Sequence, residues 1–138
     1  MNYRVFFIPL SLSGLFFFFY ILLAATTNFL SVEAGYAIGE VSRWCERISD
    51  GYFREPANAL SNIGFMLTGL FMFWLLANEK KVKGSRFHGP TITALTYAGA
   101  AVFLGPGSML MHGTHTEWGQ WADLLSMIMW ISIPWLVN

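Results

Sequence analysis

The chain has 138 residues, 55% of them hydrophobic and 17% aromatic, and only 12% charged. That charged share is about half the usual value for a soluble domain. The net charge is zero, so the basic footprint of a nucleic-acid binder is excluded. Cys45 is the sole cysteine, which rules out an internal disulfide and a thiolate metal cluster.

The apolar residues fall into four runs, each near the roughly 20 residues needed to cross a bilayer. In chain order they cover 5–28, 56–77, 91–113 and 117–137. The predicted fold is therefore an all-α, multi-pass membrane bundle. Apart from four phenylalanines at 16–19, no repeat or low-complexity tract is present. Arg4 precedes the first run, and Ala24 and Ala25 lie near its end. Those features also mark a signal peptide, but the run is long for one, so an uncleaved leading anchor is the preferred reading.

The segment 78–90 holds Lys80, Lys81, Lys83 and Arg86 against Glu79. A basic loop of this kind is expected on the cytoplasmic side. The loop 33–55 and the turn at 113–116 then fall on the opposite side.

The second span opens at Pro56, a good first helical residue, with Glu55 just before it. Glu46, Asp50 and Glu55 place three carboxylates within ten residues. Such a cluster suits calcium, which takes six to eight oxygen ligands. The plainer reading is a solvated loop whose acids pair with Arg43, Arg47 and Arg54. Asn58, Ser61 and Asn62, inside the span, are expected to form hydrogen bonds between helices.

A single helix over 91–137 would be about 70 Å long, more than twice the hydrocarbon thickness. The predicted break is near Gly113, with Thr114 as N-cap and Glu117 three residues later as a capping box. Gly105-Pro106-Gly107 predicts a kink just before Ser108. Ser108 and His112 are four apart and share a helix face. Asp123 lies two to three turns into the next helix, and the short connection makes the two helices antiparallel neighbours. Polar groups at this depth cost several kcal/mol unless they face a partner or a polar interior. Each has a plain reading alone: His112 as a packing donor, Ser108 bonded to its own helix, Asp123 in an ion pair. Together at one membrane edge they point to a site.

Three segments carry a family likeness. They are Trp44-Cys45-Glu46, the stretch EPANALSN at 55–62, and the series Gly107-Ser108, His112, Asp123. Over roughly residues 44–130 these resemble the alkaline ceramidase family, within a superfamily of seven-helix membrane hydrolases that also includes progestin and adiponectin receptors. The resemblance implies a zinc-dependent amidase acting on a ceramide-like lipid of the bilayer. Zinc there sits on three histidines, of which His112 matches the first. Ser108 and Asp123 match the polar partners beside the metal. The implied roles are an oxyanion donor for Ser108 and water orientation or proton shuttling for Asp123. The resemblance further implies calcium, with Glu46 and Glu55 matching carboxylate ligands and Trp44 a carbonyl ligand.

The chain departs from the family pattern in two places. Arg43 and Ile48 stand where the family has an aspartate and an asparagine ligand for calcium. The only histidines are His88, His112 and His115, and no H-x-x-x-H follows. His88 lies in the basic loop, and His115 is expected as a polar surface residue of the turn. The chain therefore reads as an N-terminal portion of a larger hydrolase, with residues 1–40 a leading segment and 41–138 the ceramidase-like part. A second reading is a lipid-sensing or non-catalytic protein of the same fold.

Overall fold

A computed structural model describes residues 2–26 and 46–137. They form five helices and no strand: α1 (Tyr3–Thr26), α2 (Pro56–Ser61), α3 (Ile63–Asn78), α4 (Ile92–Thr114) and α5 (Glu117–Val137). With α2 and α3 taken together, four helices are long and apolar enough to cross a membrane. These match the four expected runs to within a few residues. The 40/41 boundary expected from sequence lies outside the described residues.

The second span comes in two pieces. Its helix is interrupted at Asn62, and α3 restarts with the Phe65 amide donating to the Asn62 carbonyl at 3.2 Å. The polar side chains at the break are used locally rather than between helices. Ser61 Oγ and Asn62 Nδ2 both donate to the Asn58 carbonyl, at 2.8 Å each. A nearby carbonyl left open by a helix break is closer than any partner helix, which is why the interhelical expectation fails.

Helix α4 is the centre of the bundle, packed on α2, α3 and α5 and touched by α1. Thr91 starts it by accepting the Ala94 amide at 3.2 Å. Ala94, Ala98, Ala101 and Gly105 recur along it at helical spacing and are buried. Small residues in such a row let helix backbones approach closely in a membrane. Opposite them is Gly69 of α3, where an added Cβ would come within 2.5 Å of the Val102 amide nitrogen. The kink expected at Gly105-Pro106-Gly107 does not break the element, since α4 runs through Pro106 as one helix. The two flanking glycines also serve packing. A Cβ at Gly105 would meet Met66, and one at Gly107 would meet Ser126, so α3 and α5 close on α4 at the same level.

Hydrogen bonds fix the two ends. At one end the Asn2 amide donates to the Ala77 carbonyl at 2.7 Å, and Arg86 donates to the Val137 carbonyl at 2.7 Å. The basic loop lies there. At the other end Tyr20, near the end of α1, donates to the Tyr52 carbonyl at 3.0 Å, and its ring stacks on Phe53. The loop before α2 and the turn between α4 and α5 meet at that end, as expected from the alternation of the spans.

Candidate functional site

A helix C-terminus leaves its last carbonyls without partners. In α4 the loop before α2 supplies two of them. The Glu55 amide donates to the His112 carbonyl and the Arg54 amide to the Gly113 carbonyl, both at 3.0 Å. The His115 amide closes the turn on Met111 at 2.8 Å. These bonds hold Glu55 against the end of α4, and Pro56 then starts α2 directly after it.

Glu55 is fully buried and stands between two imidazoles. His112 Nδ1 lies 2.6 Å from Glu55 Oε2, which also accepts from Asn58 Nδ2 at 3.0 Å. A carboxylate on that side assigns the proton to Nδ1, so the neutral ring carries its lone pair on Nε2. His115 Nε2 lies 3.1 Å from Glu55 Oε1, an ion-pair distance that falls off the line of a hydrogen bond. Burial pushes the His115 imidazole below its ordinary pKa, against the pull of Glu55 and with help from Arg54 and His112.

His115 is thus a buried member of the site, with none of its surface exposed, and not the surface turn residue expected from sequence. The reason is backbone conformation. His115 caps α4 in the left-handed region, at φ 52° and ψ 32°, which turns its side chain back toward Glu55. The same turn moves the capping of α5 by two residues. Thr116, not Thr114, accepts the Gly119 amide, at 3.2 Å. Thr114 is the last residue of α4, and its hydroxyl donates to the Leu110 carbonyl at 2.6 Å.

Ser108 is buried one turn before His112. Asp123 follows Ala122, whose carbonyl faces Gly107 across the α4–α5 seam. Ser108 and Asp123 are thus the chain neighbours of the two residues that meet there. Asp123 Oδ1 is buried and accepts no hydrogen bond among the described residues. No hydrogen bond among the described residues joins Ser108 or Asp123 to His112.

The carboxylates matched to calcium are engaged elsewhere. Glu46 accepts the amides of Ala57 at 2.7 Å and Asn58 at 2.8 Å, so it closes the first turn of α2. A carboxylate there is favoured by the exposed N–H groups of a helix start. Asp50 is exposed, and Trp44 lies outside the described residues. His112 fits a zinc ligand, because metal-bound histidines commonly give their other ring N–H to a carboxylate. Among the described residues two fellow ligands are not at hand. His88 is in the loop at the far end of α4, and His115 is turned to Glu55. Among the described residues no three His, Cys, Asp or Glu side chains are set to hold a metal.

A family model described as Ceramidase matches residues 40–137, well over half of the chain. No curated protein and no solved structure matches it.

Proposed function

Because the chain belongs to the ceramidase family, we propose that it hydrolyses the amide bond of a ceramide-like lipid at the end of α4. The observation that carries this reading is the 2.6 Å contact of buried Glu55 with half-buried His112, set one turn from Ser108. It supplies a histidine of fixed tautomer at the mouth of two apolar helices, within reach of a lipid held in the bilayer.

In the reaction water adds to the amide carbonyl, the C–N bond breaks, and a fatty acid and a sphingoid amine leave. A zinc ion on His112 would supply an activated water. The described residues bring one of the three imidazoles that such an ion needs, so binding and proton transfer fall to the chain's own side chains. Glu55 keeps Nε2 of His112 as the acceptor side of the ring. Asp123, with a buried oxygen that has no donor among the described residues, would take a proton from water and return it to the leaving amine. Ser108 donates to the carbonyl oxygen as charge develops on it.

The test is release of fatty acid from a labelled ceramide in vesicles containing the protein. Release is expected, with a loss of at least about a hundredfold in His112→Ala. Release that is indifferent to His112→Ala would remove the site assignment. Ceramide binding without release would make the protein a lipid-sensing member of the same fold.

A further inference from the structure

We propose that His115 is a positioning residue, which acts through Glu55 to hold His112 in one tautomer and one orientation. The inference deepens the proposed hydrolase site and rests on His112 being its working imidazole.

Three observations carry it. First, His115 occupies the left-handed cap position of α4, with φ at 52°. Glycine and asparagine suit that backbone best. Histidine is among the few other residues that adopt it, so the turn admits an imidazole here and directs it at Glu55. Second, the ring is fully buried, although a polar side chain in a turn would ordinarily reach water. Third, its Nε2 is set 3.1 Å from Glu55 Oε1, and that oxygen accepts no well-directed hydrogen bond among the described residues. The opposite oxygen of the same carboxylate holds His112. A carboxylate gripped on one oxygen only can rotate about its last torsion and release its partner. An imidazole against the second oxygen blocks that rotation. A small turn of the ring also completes the N–H bond to Oε1, a buried acceptor that otherwise lacks a hydrogen bond among the described residues.

The sequence spacing makes the arrangement economical. His112 and His115 are three residues apart, and the left-handed turn at His115 brings its imidazole back to the carboxylate that His112 already meets. One carboxylate thus serves two imidazoles, one facing the site and one behind it.

The experiment is NMR of the full chain in lipid nanodiscs with histidine labelled by heavy nitrogen. In the unaltered protein His112 should show the Nδ1–H tautomer and a far-downfield proton, as expected for a contact of 2.6 Å. His115→Asn keeps the left-handed turn, but its amide superposes on Nδ1 and stops short of Glu55. The downfield proton should then move upfield and exchange with water at least about tenfold faster. His115→Gln places its amide where Nε2 stood and should restore the signal. Glu55→Gln, which keeps the shape of the side chain, should lose it. The inference is overturned if His115→Asn leaves the signal unaltered, if His115→Gln fails to restore it, or if it survives in Glu55→Gln. Ceramide turnover on the same samples separates the two readings. An unaltered protein that shows the signal without turnover sinks the hydrolase reading and leaves the positioning role standing.

Discussion

The ring of Tyr20 lies flat on Phe53, with centroids 4.9 Å apart and planes within 10° of each other. Its hydroxyl donates to the carbonyl of Tyr52 beside it. The leading helix is therefore fastened to the loop that delivers Glu55. Tyr20→Phe removes one hydrogen bond and should cost about 1 kcal/mol. Tyr20→Ala also removes the stack and should cost about 3 kcal/mol or more. Thermal unfolding in detergent checks the difference, and ceramide turnover should fall with Tyr20→Ala and not with Tyr20→Phe.

Gly107 is the tightest point of the α4–α5 seam. A Cβ there would come within 2.5 Å of Ser126 Oγ and 2.8 Å of the Ala122 carbonyl oxygen. The second neighbour is backbone, so the helices must part. Gly107→Ala should destabilise by about 1–3 kcal/mol. It should also lower turnover, because Ser108 and Asp123 are next in the chain to the residues that meet here. Gly14, which has open space around it, is the control: Gly14→Ala should leave both quantities unchanged.

Asp123 presents a trade. A buried carboxylate oxygen without a partner costs about 1–3 kcal/mol. Asp123→Asn removes the charge and should raise the unfolding temperature while cutting turnover by at least about a hundredfold. A variant that is neither more stable nor less active would remove Asp123 from the chemistry.

Glu46 closes the first turn of α2 with two hydrogen bonds. Glu46→Ala should cost about 1–2 kcal/mol. Because both oxygens already hold N–H groups, chelation of calcium should leave the unfolding temperature where it was. A fall on chelation that Glu46→Ala abolishes would establish a cation at this carboxylate.

The spans were legible because length and hydropathy alone decide what crosses a bilayer. That Ser108 and His112 lie one turn apart near the end of α4 was legible through their spacing, and Pro56 through its preference for a first helical turn. What escaped was the meeting of Glu55 with two histidines. It depends on backbone bonds from Arg54 and Glu55 to residues almost sixty positions away, and such bonds leave no local pattern. The role of His115 escaped for a related reason. A histidine after a helix reads as a surface turn unless its left-handed backbone is known. The misplaced cap on α5 has the same origin, because the left-handed residue lengthens α4 to Thr114 and hands the capping to Thr116.

The two-residue turn between α4 and α5 has a further consequence. Ser108 is six residues before the last residue of α4, and Asp123 is six residues after the first residue of α5. At the rise of a helix, each lies about 9 Å below the turn. The connection thus works as a depth gauge. On the proposed reading, a lipid whose amide rides at that level meets both side chains, and one whose amide rides higher or lower meets neither. Selection would then rest on how far the reactive bond sits beneath the membrane surface, before any feature of the headgroup is read.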